Sequence, residues 1–394
     1  MKILEIIYRF YPSVGGSQKV VYELSKEFVK KGHDVTVVTS TSMTNNDTRG
    51  FSTGRRFTFK SLNDRSYKET KEGINIYRFK PFFQLFPYGY NPQMKKYLKK
   101  YIKEFDIVHV HGYQTYEADM VSRLSKNYIL TAHDIIAHYG GILGFLKKIF
   151  DIIIGKRILK RAKYLVALTA ENIKQYKDIV DCGDKIKLIP DGIEPLEKSE
   201  KSSELMERFG NPKKVVLFVG RVVKYKGAQD IIKAANSILK FEPSTKFVFV
   251  GEDQGYMDEL KKLAKELNVS DKCIFEGKVS CKIDCYYNTA DVFVLPSRGE
   301  GFGLTAVEAM SVGVPSILAD LGGLKHVLKM VGGYSLDMDH DVSKQIADHV
   351  IEIFKDDEID SKMKNVIENT KRLTWDNISN ETLELFKQIK GTKK

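Results

Sequence analysis

Residues 295–313 read L-P-S-R-G-E-G-F-G-L-T-A-V-E-A-M-S-V-G. An apolar run over 290–295 (A-D-V-F-V-L) leads into them with the length and β-branching of a buried strand. Pro296, Ser297 and Gly299 break that strand, residues 304–310 favour helix, and Gly313-Val314-Pro315 stops it. Glu300, Gly301, Phe302 and Gly303 therefore fall on a short turn entering a helix N-terminus. Unsatisfied N–H groups and the positive end of the helix dipole suit an anion such as a phosphate there, and the glycines allow close approach. Glu300 and Glu308, eight residues apart, would lie roughly 12 Å apart on a helix. They could accept hydroxyl hydrogen bonds on either side of a pyrophosphate, a sugar at one end and a ribose at the other. A solvated Glu before a helix and a second on its surface would also fit the pair. Ala306, Val307, Ala309 and Met310 leave Glu308 little solvent.

Outward from this stretch the same strand–loop–helix unit recurs. The second half has strands over 215–220, 247–251, 274–275, 292–295 and 316–319. The first half has strands over 2–10, 35–39, 75–79, 107–111, 128–132, 164–168 and 186–189, with a glycine loop at 12–17 and a helix over 20–31. The spacing predicts two open α/β domains with ligand at the carboxyl ends of their strands. At 394 residues the chain exceeds one ordinary core. The opening unit lacks G-x-G-x-x-G, which weakens a dinucleotide reading. Residues 41–71, polar and basic, read as a loop. An amphipathic helix is expected from Trp375 to Ile389.

Composition narrows the class. A hydrophobic content of 42% and a charged content of 29% are those of a globular protein. Cys182, Cys273, Cys281 and Cys285 make no disulfide framework at this length, and reduced thiols in a cytoplasmic protein are expected. No export signal or spanning segment is read from the sequence. Residues 1–195 carry 33 Lys and Arg against 20 Asp and Glu, a surplus of 13, whereas the whole chain carries +12. The first half should therefore meet an anionic partner: a membrane, a phosphorylated lipid or a nucleic acid. Aromatics over 82–90 beside Lys95, Lys96, Lys99, Lys100 and Lys103, and the basic amphipathic stretch 142–159, fit a membrane surface. Ordinary packing with solvated lysines fits them too.

The quoted residues now resemble a family. P-S-V-G-G near the start, D-I-V-H-V-H-G, L-T-A-H-D, I-P-D-G-I, V-G-R-V-V-K-Y-K-G and the 295–313 stretch together resemble the retaining nucleotide-sugar glycosyltransferases of family 4 over essentially the whole chain. The resemblance implies a GT-B fold: two Rossmann-like α/β domains facing across a cleft. It divides the chain into a basic acceptor-side domain (1–193), a nucleotide-sugar domain (194–374) and a last helix (375–394) crossing back to the first domain. The implied reaction moves a hexose from a nucleotide-diphosphate sugar to a lipid-linked or polysaccharide acceptor in cell-envelope polysaccharide biosynthesis. The expected place is peripheral, on the inner face of the membrane. No cofactor, metal or nucleic acid is implied.

Residue by residue, the resemblance gives Arg221 and Lys226 the donor pyrophosphate and the departing nucleotide. Two cations on one loop, one a bidentate fork, suit that role physically. Gly15 and Gly16 match the glycine loop that approaches the donor; a bare tight turn is the alternative. Glu300 would contact donor-sugar hydroxyls and Glu308 the ribose, with Gly301, Phe302, Gly303 and Leu304 between them, while Val279 marks where the base rests on backbone. His133 would touch the donor sugar. His109 and His111 share one face of a strand, and H-x-H suggests a metal, but no third ligand is visible; His111 is placed at the acceptor pocket. Asp337-Met338-Asp339 spells a D-x-D too late in the chain to act. Lys224 departs from the family pattern. Two other functions remain: a non-hydrolysing sugar-nucleotide epimerase, which would need carboxylates such as Asp106, Glu117 or Asp134, and a basic anion- or nucleic-acid-binding protein.

Overall fold

A computed structural model describes residues 1–13, 15–42, 66–85, 88–133, 141–279 and 283–391. The chain forms two compact units, Met1–Gly192 with Trp375–Lys394, and Ile193–Thr374. The strands of the first are β1 (Lys2–Ile7), β2 (Asp34–Ser40), β3 (Tyr67–Lys71), β4 (Ile74–Phe79), β5 (Phe83–Leu85), β6 (Tyr88–Tyr90), β7 (Ile107–His111), β8 (Ile129–Thr131), β9 (Tyr164–Ala167) and β10 (Ile186–Leu188). Those of the second are β11 (Val215–Val219), β12 (Lys246–Val250), β13 (Cys273–Gly277), β14 (Val292–Leu295), β15 (Ser316–Ala319) and β16 (Tyr334–Leu336).

The first sheet runs β10-β9-β8-β7-β1-β2-β4-β3, parallel except for the antiparallel edge strand β3. The second runs β13-β12-β11-β14-β15-β16, all parallel. Helices on both faces bury the central strands, which is why β11 and β14 are unbroken apolar runs, while β1 and β7 are buried although they carry Glu5, His109 and His111. In each unit the winding reverses beside the first strand, between β1 and β7 and between β11 and β14. The loops leaving the carboxyl ends of those pairs diverge and open a crevice for a ligand.

Two expectations are corrected. Residues 67–71 are not loop but β3: Lys68 and Thr70 are exposed and the others only half-buried, so polar and charged side chains along an edge strand mask its periodicity. Residues 43–65 of that expected loop lie outside the described residues. The stretch 142–159 is not one helix; the helix Gly141–Phe150 widens into a π turn at Asp151–Gly155 before the helix Lys156–Arg161. Aromatics around 82–90 form a hairpin, β5 against β6.

The last helix, Trp375–Gly391, packs on the first unit. Phe386 is fully buried there, 5.5 Å from Phe28 and 5.6 Å from His109 between ring centroids. No helix among the described residues is long and apolar enough to cross a membrane.

Candidate functional site

In the second unit the β11 loop carries Arg221 and Lys226, and the β14 loop carries Glu300 through Leu304. Gly227 sits at φ 81°, and a Cβ there would strike the Pro296 carbonyl, so glycine lets the two loops close on each other. The Arg298 N–H donates to the Tyr225 carbonyl at 2.8 Å, and its guanidinium reaches Asp230 at 2.8 Å. Lys226, nearly buried, makes an ion pair with Glu300. Arg221 is half-buried and donates to Tyr225 Oη at 2.7 Å and to Gln254 Oε1 at 3.3 Å. The two cations and Glu300 are thus held on neighbouring loops at the crevice of one sheet.

The helix Leu304–Ser311 begins at Gly303, whose φ of 106° favours glycine and whose Cβ position would press on the Leu324 side chain. It has neither a side-chain cap nor an acidic residue in its first turn, so no carboxylate of its own offsets the positive end of its dipole. Phe302 is buried, and the Gly323 N–H donates to the Glu300 carbonyl at 3.0 Å. Glu308 is buried on that helix and accepts from Tyr287 Oη at 2.8 Å. Burial first, then the Glu308 charge, drives the Tyr287 phenol well above its ordinary range. Val279, half-buried, follows β13. Tyr287, Gln254 and Tyr225 were missed from the sequence because nothing in their spacing marks them. A cavity of this unit, about 820 Å³, is lined by Tyr225, Lys233, Tyr256, Lys262 and Arg298 among others. Arg221, Lys226, Glu300 and Glu308 are not in its lining, so the charged loops rather than this groove are the candidate site.

In the first unit Gly15 and Gly16 open the helix Gly16–Lys30 after β1, and His111 ends the paired strand β7. His111 was expected at an acceptor pocket, but it is 1% exposed and faces inward. Its Nε2 lies 2.6 Å from Glu5 Oε2, and its Nδ1 lies 2.9 Å from His133 Nε2. Glu5 also corrects the statement that H-x-H has no third ligand. Register pairs Glu5 with His109 across β1 and β7, and His109 Nδ1 lies 3.1 Å from Glu5 Oε2. Glu5, His109 and His111 form a buried group with the donor atoms for a metal ion. His109 Nε2 closes on Thr131 Oγ1 at 2.8 Å. Burial alone would raise the Glu5 pKa, but His109 and His111 outweigh it and hold the carboxyl at about 2. Burial lowers His111 to about 4 and, with the charges of His111 and His109, drives His133 well below its usual value. His133 is half-buried and takes a left-handed φ of 59°.

Two buried carboxyls stand near these ends. Glu117 is 1% exposed with neither oxygen hydrogen-bonded, and burial pushes its pKa to about 7. Asp191, also pushed to about 7 by burial, lines a cavity of about 20 Å³ together with His109, His111 and Thr131. Asp106 instead accepts from the Lys2 N–H at 2.9 Å, and Asp134 lies outside the described residues. Asp337 and Asp339 lie in an exposed turn, where Asp337 accepts from the Asp339 N–H at 3.0 Å.

Comparison with known proteins gives the family. The profile of glycosyl transferases group 1 matches residues 201–373, and that of Glycosyltransferase Family 4 matches residues 14–195. The chain is a family 4-like glycosyltransferase. An uncharacterized glycosyltransferase of Methanocaldococcus jannaschii is 27% identical over 98% of both chains. The GDP-mannose:cellobiosyl-diphosphopolyprenol alpha-mannosyltransferase of Xanthomonas oryzae is 22% identical over 99% of this chain and 98% of its own. Among solved structures the Anabaena protein HepE, in complex with UDP and glucose, has a TM-score of 0.76 at 18% identity, covering 98% of this chain and all of that one. This glycosyltransferase therefore has the α/β fold of the GT-B group, with two parallel-sheet domains.

Proposed function

We propose that this glycosyltransferase moves a hexose, with retention of configuration and without a metal ion, from a nucleotide-diphosphate sugar to a hydroxyl of a lipid-linked or polysaccharide acceptor. The observation that carries the reading is the cationic pair Arg221 and Lys226 beside Glu300 and the uncapped start of the helix Leu304–Ser311. As the bond from the anomeric carbon to the phosphate oxygen breaks, negative charge gathers on the leaving diphosphate. Arg221, oriented by Tyr225 and Gln254, and Lys226 supply fixed positive charge where it develops, and the helix dipole adds to them. Glu300 accepts from sugar hydroxyls and Glu308 from the ribose. Attack from the face the nucleotide leaves lets the departing phosphate oxygen take the acceptor hydroxyl's proton, so no side chain need be the base.

The acceptor reading draws on the surface of the first unit and on the diphosphopolyprenol named for the Xanthomonas relative. Phe145, Leu146, Ile149, Ile152 and Ile153 form an exposed apolar stripe, with Phe145 64% and Ile153 62% exposed. Lys148, Lys156 and Lys160 are exposed on the same segment. An apolar face with basic neighbours suits the boundary of an anionic leaflet, and supports an enzyme working on the inner face of a membrane. The test incubates the chain with UDP-, GDP- and ADP-hexoses and polyprenyl-diphosphate sugars in EDTA, and reads the new anomeric centre by NMR. Transfer with the donor's configuration supports the proposal. An inverted product, or transfer only after a divalent ion is restored, contradicts it.

A further inference from the structure

We propose that the groove lined by Tyr225 and Lys233 is a second ligand site, built for a hexose monophosphate, and that its occupant steadies Arg221 through Tyr225. The site goes beyond the transfer reaction. Only its coupling to Arg221 rests on the reading of that residue as a diphosphate contact.

At about 820 Å³ the groove falls in the size range of small-molecule sites. Two helices of the second unit wall it, Ala228–Phe241 and Met257–Glu266. Gln229 and Lys233 lie one turn apart on the first, and Glu259 and Leu263 one turn apart on the second, so each helix turns one face to the groove. Charge along the lining is mixed. Arg298 is taken up by Asp230 at 2.8 Å, and Lys262 pairs with Glu266 at 3.8 Å. Lys224 and Lys233 are exposed and make no ion pair among the described residues. Gln229 donates from Nε2 to the Lys224 carbonyl at 3.2 Å, but its Oε1 is buried and takes no hydrogen bond.

These groups select the chemistry of the occupant. Two uncommitted ammonium groups suit one phosphate, whereas a polyanion would run on to Glu259 and Glu266. An orphaned amide oxygen and the exposed Glu259 carboxylate need donors, which sugar hydroxyls supply. Tyr225, Tyr256 and Leu263 offer an apolar surface to the C–H face of a sugar ring. A free sugar would leave the ammonium groups unmet. Bare phosphate would leave the amide oxygen and the apolar surface unmet.

Tyr225 ties the groove to the donor loops. Its hydroxyl accepts from Arg221 at 2.7 Å, its ring centroid lies 5.6 Å from the Lys226 ammonium, and its carbonyl accepts the Arg298 N–H at 2.8 Å. The residue is still 38% exposed. An occupant that covers the ring removes freedom that diphosphate binding at Arg221 would otherwise have to remove. The two ligands should therefore strengthen each other, by the same factor in both directions.

The experiment is calorimetry on the full chain with glucose, mannose and galactose 6-phosphates, and with glucose and inorganic phosphate as controls. At least one hexose phosphate should bind about tenfold or more tightly than either control. Lys233→Glu, a change at an exposed position, should abolish that binding and hold the melting temperature within a few degrees. UDP, GDP or ADP should not displace the hexose phosphate, and the one that binds should do so about threefold or more tightly in its presence. Tyr225→Phe should keep the groove occupied and lose the tightening. The proposal is overturned if no hexose phosphate binds at millimolar concentration, or if Lys233→Glu leaves the binding intact. Displacement by the nucleotide, or a nucleotide affinity indifferent to the hexose phosphate, overturns it as well. If no nucleoside diphosphate binds at all, the diphosphate reading of Arg221 fails, while the hexose phosphate titration still decides the groove.

Discussion

Gly303 shows how tightly single residues constrain the second unit. Its φ of 106° lies where L side chains are strained, and a Cβ there would also push the tip of Leu324 aside. Gly303→Ala should therefore lower stability by about 1–3 kcal/mol, read by chemical denaturation, and weaken nucleotide binding with it. Glu117 and Asp191 lead to a pH prediction. Burial raises both carboxyls to about 7 from ordinary values near 4, so the folded state holds a proton that the unfolded state releases between those values. What they contribute to stability is intact below about pH 4 and lost as pH rises through 7. Relative to the wild type, Glu117→Gln and Asp191→Asn should each gain about 2 kcal/mol between pH 5 and pH 8, measured by melts across that range. At this scale the sequence was legible where chemistry shows in a local pattern. Arg221, Lys226, Glu300 and Glu308 lie in short runs of glycine and apolar residues, and the fold brings the first three onto adjoining loops. Glu5 was not legible. It is one acid in an apolar strand, and only the pairing of β1 with β7 sets it against two histidines more than a hundred residues away.

Elements were easiest to read where both faces are covered. The buried parallel strands β11, β14 and β15 are short, largely apolar runs between turn residues, and their positions can be read from that alone. The edge strand β3 escaped because its exposed, charged side chains look like loop. The stretch 141–161 escaped differently: its spacing is helical, but the π turn at Asp151–Gly155 adds a residue to the turn and rotates the helix Lys156–Arg161 after it. Across that turn Phe145, Leu146, Ile149, Ile152 and Ile153 still reach solvent on one segment. If this segment seats on lipid, replacing Phe145, Ile149 and Ile153 together by Ser should cut co-sedimentation with phosphatidylglycerol vesicles at least tenfold. Because the side chains are exposed, the melting temperature should hold within a few degrees. Equal binding of wild type and variant would remove the segment from the membrane reading.

At the scale of the whole molecule, the chain leaves its first unit at Gly192 and returns to it at Trp375. The return was expected from the resemblance and not from periodicity, since an amphipathic last helix does not reveal which sheet it covers. Its buried face includes Trp375, Ile378, Leu383 and Phe386, so the first unit depends on residues from the far end of the chain. Phe386→Ala should cost about 3–5 kcal/mol by thermal or chemical unfolding, and the loss should fall on the first unit's transition if the two units melt separately. The central claim concerns the second unit: its β11 and β14 loops hold the diphosphate of a nucleotide sugar. Calorimetric titration of UDP, GDP and ADP into wild type, Arg221→Ala and Lys226→Ala tests it most directly. At least one nucleoside diphosphate should bind the wild type, and each variant should bind it tenfold or more weakly, the loss expected of a charge-assisted hydrogen bond. Undiminished binding in both variants would contradict the account.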